Sequence, residues 1–430
     1  MSSWAEKSKI LGGSDGITLI VGLGLAFFFL TRISLGVSVF ALALLGVFHA
    51  VKNRNVHSQF SWRDGQWFII AAILPLAYFF RMLVSDFDHR LLDKVVRFIL
   101  IIPIYWIVRS YGISASKVLV CISASVLVAG FDSFSQVSNG IERVSGASIP
   151  SPIPFGNFAL FFGVLSILLI FPEKEGGYSG WPKWVGVAGF LSGVFTSVAS
   201  GTRGGWVAIP FFLLIVWKFF GPRNKLVSYA LAVTIMVVTP LLAYFVPAIS
   251  DRLAIGMSEA QSFLSKTSLW SSGDVGTSIG MRLDMWAAGI DAFRSAPVFG
   301  LGFAGFNQFL DHRVELGLTH PDIEATGFKH LHCEVITTAA KLGLMGLFAL
   351  AVLWVGGIWW FLRDTLNKNT NGTIFRVLGL ITFTAMIAYS MTDSMFGMTL
   401  HSMVYTMLLG ISAGGLRHAE LKLGPGTAGR

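Results

Sequence analysis

The chain has 430 residues, of which 54% are hydrophobic and only 13% are charged, and its mean hydropathy is +0.68. A soluble globular protein of this length does not normally have such a composition. The apolar runs are too long and too continuous for alternating barrel strands. The predicted fold class is therefore an all-α, polytopic integral membrane helical bundle.

About twelve apolar runs are predicted to span the membrane. They lie near 17–30, 33–50, 67–84, 95–109, 115–131, 154–171, 184–200, 205–220, 227–247, 335–361, 375–391 and 398–415. The net charge of +9 comes from basic residues that are concentrated in the short loops on the side of the N-terminus. This pattern indicates membrane orientation rather than nucleic-acid binding, and it predicts that both termini are cytoplasmic.

Four parts follow from this topology. They are a transmembrane bundle with spans one to nine at 1–247, a large extracytoplasmic loop with short helices at 248–332, spans ten to twelve at 333–416, and a cytoplasmic tail at 417–430. The two cysteines, Cys121 and Cys333, have no metal-ligand spacing around them and predict no disulfide framework.

The stretch "SVASGTRGGW" at 197–206 places Arg203 at the boundary of a predicted span, on the extracytoplasmic side. One interpretation is an interfacial arginine whose side chain reaches toward water. The other is an anion site. Gly204 and Gly205 would let a phosphate approach the backbone, and the helix that follows would direct its N-terminal N–H groups at the same anion.

Arg282 lies in the extracytoplasmic loop, in "MRLDMWAAGIDAFRSAPVFGLGFAGF". It could pair with Asp284, or its planar fork of donors could bind phosphate oxygens together with Arg203. No predicted strand precedes the glycines of "GLGFAG", so a tight turn is favoured there over a phosphate-binding loop.

Three further residues on the same side suit acid–base chemistry. "FKHLHCEV" contains His330 and His332, which are either interfacial side chains or a general base, since histidine titrates near neutral pH. A zinc site needs three or four ligands, and the spacing does not supply them, so no metal is predicted. Asp393 in "SMTDSMFGM" is either solvated at the boundary or orients a histidine.

Basic residues on the outer loops interrupt the charge pattern. Arg81 precedes a cluster of mixed charge at 86–97, and Arg143 lies in the loop at 132–157. Such groups could steer an anionic glycolipid, or they could pair with neighbouring aspartates.

Taken in order, these segments resemble the motifs of the bacterial O-antigen ligase and polymerase superfamily. They are "RVSGASIPSPIPFGN", "GTRGGW", "RLDMWAAGIDAFRSAPVFGLGFAGF", "HLHCEVITTAAKLGLMG" and "TDSMF", and together they cover about 140–395. The sequence departs from the family pattern at Cys333, where asparagine is usual, and at Lys341, where glutamate is common.

The resemblance implies an inverting glycosyltransferase of the inner membrane that needs no metal or other cofactor. It would transfer a polysaccharide from undecaprenyl pyrophosphate to a sugar hydroxyl of lipid A–core at a periplasmic site. Arg203 and Arg282 would bind the pyrophosphate, and His332 would be the general base. Asp393 is a further catalytic candidate. The partners would then be the two lipid-linked substrates and the membrane, without nucleic acid.

Substrate contacts are also predicted for Gly204, Arg143, Arg81 and His330. Within the same superfamily, an O-antigen polymerase or a protein O-oligosaccharyltransferase would share the donor and differ in the acceptor. A lipid-linked glycan transporter would use the arginines for binding alone, but the sequence lacks the paired broken helices and midplane ionisable groups of many transporters.

Overall fold

The computed structural model describes residues 13–52, 60–84, 97–171, 180–202, 204–221, 278–320, 331–363 and 370–423. In these ranges the regular structure is helical, as the sequence predicts. The first six helices are α1 (Ser14–Ala26), α2 (Ser34–Lys52), α3 (Trp62–Val84), α4 (Ile101–Tyr111), α5 (Ala115–Ser138) and α6 (Pro152–Ser166), the last extended by a 3-10 turn (Ile167–Ile170).

The remaining helices follow in two groups. The first comprises α7 (Trp181–Ala199), a 3-10 turn (Gly204–Ala208), α8 (Ile209–Phe220), α9 (Ser278–Ser295) and α10 (Gly302–Glu315). The second comprises α11 (Glu334–Ala351), a π turn (Val352–Gly356), α12 (Gly357–Leu362), α13 (Thr370–Ser390) and α14 (Thr399–Leu423).

Six segments of the described chain are long and apolar enough to cross a membrane. They are Ser34–Lys52, Trp62–Val84, Ala115–Ser138, Pro152–Ile170, Glu334–Leu362 and Gly372–Ser390. The protein is therefore an integral membrane protein. Eleven of the predicted runs fall on helices, but the count of about twelve spans is not confirmed, and the run at 227–247 lies outside the described residues.

Five predicted runs fall on helices that are not among the six, and α4 and α7 are two examples. Helix α4 has only 11 residues, too few for the hydrocarbon core, and α7 is rich in glycine and serine. Small residues allow close helix packing: Gly193 of α7 faces Gly163 of α6, where an added Cβ would lie 2.8 Å from the facing Cα. The short length of α4 and the small residues of α7 therefore set these two helices apart from the six long apolar segments.

The interior of the bundle is built from aromatic side chains. Phe28, Phe158 and Phe162 are buried, and the ring of Phe28 contacts that of Phe158 edge to face and that of Phe162 in a tilted arrangement. Helix α14 packs against α4 and α13, so the last helix runs through the centre of the bundle. The starts of α6, α11 and α14 and the end of α13 then meet at one end of it.

Helix α11 is broken at Gly343, whose φ of 63° lies in the left-handed region. The turn at 296–301 fills the break: the N–H groups of Leu344 and Met345 donate to the carbonyls of Pro297 and Val298. Gly300 and Gly302 also have positive φ. Gly300 therefore lies in a turn, as predicted, whereas Gly302 begins α10 and Gly305 lies inside that helix.

Candidate active site

His332 lies just before α11, in a strained backbone conformation. Its φ is 48°, and it is the only non-glycine residue with positive φ in the described part of the chain. Such a conformation costs on the order of 1 kcal/mol or more and persists only where surrounding contacts impose it. Its Nδ1 atom lies 3.5 Å from Oδ1 of Asp393, and the side chains are 19% and 6% exposed. The histidine is thus the accessible member of the pair.

Asp393 lies in the connection between α13 and α14, at 391–398. Burial alone would raise the pKa of its carboxyl group. The interaction with His332, the positive potential of His401 and the Ser394 N–H, which donates to Oδ1 at 2.8 Å, outweigh burial and lower the pKa below its usual value. Asp393 is therefore a carboxylate at neutral pH.

Glu334 links this connection to the first turn of α11 through hydrogen bonds. It is fully buried, and Oε2 accepts hydrogen bonds from Ser394 Oγ at 3.0 Å and from the Phe396 N–H at 3.3 Å. Oε1 accepts from Thr338 Oγ1 at 3.3 Å and from Tyr78 Oη at 3.4 Å. One carboxylate thus joins the histidine segment, the aspartate connection and α3.

Gly204 and Gly205 form a glycine segment that lies against the same connection between α13 and α14. A Cβ atom on Gly204 would lie 2.9 Å from Oγ1 of Thr392, the residue before Asp393. On Gly205, a Cβ would lie 2.3 Å from Oδ1 of Asn157. Only glycine permits these approaches. Arg203 itself lies outside the described residues, but its chain neighbours on both sides are fixed beside the candidate site.

The segment at 143–157, a connection followed by the first residues of α6, completes this contact between motifs. Arg143 donates from Nε to the Ser200 carbonyl at 3.2 Å, and Thr202 Oγ1 donates to the Pro152 carbonyl at 2.9 Å. Tyr389 Oη donates to the Asn157 carbonyl at 3.0 Å. Three segments that are far apart in sequence therefore meet beside His332 and Asp393.

Arg282 lies on α9, which packs against the start of α11. Trp286, one turn later on the same face, donates from Nε1 to the Leu331 carbonyl at 3.0 Å. Arg282 is partly exposed, and within the described residues it forms no hydrogen bond or ion pair. The pairing with Asp284 is not observed, because Asp284 Oδ2 accepts from the His320 N–H at 2.8 Å and its Oδ1 is unpaired within that same part.

Arg81 is another residue predicted to contact the substrate, and its surroundings are different. Arg81 donates from Nε to the Phe299 carbonyl at 2.9 Å and from Nη2 to the Gly300 carbonyl at 3.1 Å. It therefore stabilises the turn that fills the break in α11. His330 lies outside the described residues. The structure thus brings together His332, Asp393, Gly204 and Arg143, and puts Arg282 on the adjoining helix.

His401 is a member of this region that sequence reasoning missed. It lies in the first turn of α14, is buried, and packs its ring 4.8 Å from that of Phe158. It lies near enough to Asp393 for the two side chains to interact electrostatically. The available signal was an ionisable residue within an apolar run, which is costly in a membrane unless it has a role.

These features define a helical integral membrane protein with a histidine–carboxylate pair at one end of its bundle, suited to moving a proton. Residues 187–351 match the sequence model of a family described as O-antigen ligase. The resemblance to the O-antigen ligase and polymerase superfamily is thereby confirmed, and ligase- or polymerase-type glycosyl transfer is the chemistry that it supports.

A relative from Haemophilus influenzae, described as an uncharacterized protein, is similar along much of the chain. It is 27% identical over 331 residues, which make up 74% of this chain and 79% of the relative.

Proposed function

We propose that the protein is an O-antigen ligase that transfers a polysaccharide from undecaprenyl pyrophosphate to a sugar hydroxyl of lipid A–core. The observation that carries the proposal is the His332–Asp393 pair, held in a strained conformation where the motif segments meet. The family match supports the same class of chemistry.

The reaction is a single displacement with inversion. The acceptor hydroxyl oxygen forms a bond to the anomeric carbon as the bond to the pyrophosphate oxygen breaks. His332 takes the hydroxyl proton on Nε2, while Nδ1–H faces the Asp393 carboxylate, which stabilises the imidazolium that forms. The products are the glycosylated acceptor and undecaprenyl pyrophosphate.

Negative charge grows on the leaving pyrophosphate, and fixed guanidinium groups can stabilise it without a metal. Arg203 and Arg282 take this role in the proposal. The close approach at Gly204 would let the pyrophosphate lie near the backbone. Arg143, Arg81 and His330 are proposed to contribute to substrate binding at the rim, Arg81 by fixing the turn at 296–301.

The distribution of basic residues supports an orientation with both termini in the cytoplasm. The site would then face the periplasm of a bacterial inner membrane, with α9 and α10 on the same side. The isoprenoid tail of the donor would lie between apolar helices at the membrane boundary.

The test is transfer by the purified full-length protein from lipid-linked O-antigen to lipid A–core, followed by gel mobility and mass spectrometry of the product. His332→Ala is expected to lower the rate of product formation by about 10²–10⁴. The matched control is His312→Ala on α10, a histidine that is 67% exposed in its side chain. Extension of a second lipid-linked glycan, with no product on lipid A–core, would overturn the ligase assignment in favour of a polymerase.

A further inference from the structure

His401 is a buried histidine whose ring nitrogens form no hydrogen bond with the described residues. It lies in the first turn of α14 and is only 2% exposed, and both Nδ1 and Nε2 are buried without a partner in that part of the chain. A buried polar group that is left unpaired destabilises a protein. A phenylalanine would fill a similar space without this penalty, so stability does not explain a histidine at this position.

Aromatic packing holds the ring of His401 in place. The ring lies 4.8 Å from that of Phe158, which is fully buried and packs edge to face on Phe28. Tyr405, one turn later on α14, packs 6.4 Å from Phe161 on α6. Side chains in such a closely packed interior keep one rotamer. The two ring nitrogens of His401 therefore have a fixed position relative to the candidate active site.

Asp393 interacts with two histidines. Nδ1 of His332 lies 3.5 Å from its Oδ1 on the accessible side, and His401 interacts with it electrostatically from the buried start of α14. An imidazole ring attracts a carboxylate through an N–H dipole when it is neutral and through a full charge when it is protonated. His401 therefore offsets part of the negative charge that Asp393 presents to His332.

Other titratable or charged groups lie at the same end of the bundle. They are Arg97 before α4, Glu334 on α11, Tyr389 on α13 and Tyr405 on α14. Glu334 accepts from Ser394 Oγ, and Tyr389 donates to the Asn157 carbonyl. Asp393 is the charged group with which His401 interacts. The carboxylate is thus the route by which His401 can affect His332.

We propose that His401 is a positioning residue for glycosyl transfer, which acts on His332 through the Asp393 carboxylate that interacts with both imidazole rings. This inference rests on the function proposed above. By offsetting part of the carboxylate charge, His401 keeps His332 from holding its proton too strongly. His332 can then release to water the proton that it took from the acceptor hydroxyl and is unprotonated for the next turnover.

His401→Phe keeps an aromatic ring against Phe158 and removes both nitrogens. Without them, Asp393 attracts a proton on His332 more strongly, so the acidic limb of the pH profile of kcat/KM should move to higher pH. A direct charged neighbour shifts a titration by about 1–3 pH units, and His401 acts one group farther away, so we expect a shift of about half a unit. His401→Gln, whose amide N–H can face the carboxylate, should show a smaller shift.

Thermal denaturation separates this role from a structural one. His401→Phe should be at least as stable as the wild type, because it removes two unpaired buried nitrogens. His418→Gln is the matched control for the pH profile. This histidine lies 17 residues later on α14, about 26 Å away at 1.5 Å per residue, and its Nδ1 pairs with the Arg109 carbonyl. Its replacement should leave the profile unchanged.

The protonation of His332 is also measured without glycan transfer. The purified full-length protein is treated with diethyl pyrocarbonate, which modifies the unprotonated ring, across about pH 5 to 8, and the modified peptide is quantified by mass spectrometry. The midpoint should again rise in His401→Phe and should not change in His418→Gln. An unchanged midpoint in both His401 variants would overturn the role of His401. A raised midpoint in a protein that transfers no glycan would support the coupling of the two histidines and overturn the proposed function instead.

Discussion

His332 and Asp393 lie 61 residues apart in sequence, yet Nδ1 of one is 3.5 Å from Oδ1 of the other. The histidine is accessible and the carboxylate is buried behind it. If they act as a unit, replacing either should remove most of the benefit of both. Asp393→Asn and His332→Ala are each expected to lower kcat by about 10²–10⁴.

The double variant provides the stricter measurement. His332→Ala/Asp393→Asn should be no slower than His332→Ala alone, when transfer is followed at saturating donor and acceptor. Independent, multiplying losses would show that Asp393 does not act through His332.

Glu334 is expected to act as a positioning residue. Glu334→Ala removes the acceptor of several buried donors, including Ser394 Oγ and the Phe396 N–H, and should destabilise the protein by about 3 kcal/mol or more. It should also lower kcat while leaving the KM for the donor unchanged. Glu334→Gln, which keeps one acceptor oxygen, should recover part of kcat.

Leu350→Ala is the control for stability alone. Leu350 is buried on the same helix, and its truncation should cost 2–5 kcal/mol without touching the connection at 391–398. The same fall in kcat in Leu350→Ala as in Glu334→Ala would argue against a positioning role.

Gly204→Ala tests the close approach between the glycine segment and the connection. The added Cβ would lie 2.9 Å from Thr392 Oγ1, so one of the two segments must shift. We expect at least a tenfold loss of transfer activity, partly restored by adding Thr392→Ala. Gly36→Ala is the control, since a Cβ there has nothing within 4 Å. Full activity of Gly204→Ala would show that transfer does not require this close contact.

Asp284 makes a pH-dependent contribution to stability. Burial raises the pKa of its carboxyl group to about 6 from 3.8, despite the His320 N–H, so folding favours the neutral form. This contribution is present below pH 3.8 and is lost as the pH rises through about 6. Asp284→Asn should therefore stabilise the protein at pH 8, by up to about 3 kcal/mol, and have little effect near pH 4.

Denaturation in detergent at both pH values measures this difference. Asp311→Asn is the control, because Asp311 is exposed on α10. An Asp284→Asn variant that is less stable than the wild type at pH 8 would contradict the account.

The sequence predicts the helices well and the site in part. Hydropathy locates α2, α3 and α5 because each contains an apolar stretch long enough to cross a membrane. Helix α14 has 25 residues but a weaker hydropathy signal, because it carries polar residues that neighbouring helices bury. The small-residue stretch around Arg203 could be recognised locally, because glycines between apolar runs are unusual.

Other features depend on contacts between distant segments and leave little local signal. Glu334 and Ser394 are 60 residues apart, and the left-handed conformation of His332 follows from packing. The break at Gly343 and its repair by the turn at 296–301 depend on the pairing of two segments. Neither segment alone specifies its partner.

Variants of Arg282 test donor binding without a large change in protein stability. It lies on the face of α9 that packs against the start of α11 and forms no hydrogen bond or ion pair with the described residues. Its removal should therefore cost less than about 0.5 kcal/mol of stability. If it holds the pyrophosphate, Arg282→Gln should raise the KM for the donor at least tenfold and lower kcat. Arg282→Lys should recover only part of the loss, because an ammonium group cannot form the two parallel hydrogen bonds that a planar guanidinium group forms with a phosphate.

The matched control for Arg282 is on the same helix. Arg294 has a side chain that is 75% exposed and pairs with Asp291 at 3.3 Å, so Arg294→Gln removes the same charge farther along α9. Steady-state transfer at varied donor concentration, with acceptor saturating, measures both variants. An equal rise in the KM for the donor would mean that the basic character of α9 attracts the donor, without a specific contact from Arg282. A tenfold rise confined to Arg282→Gln requires the guanidinium group itself at the donor site.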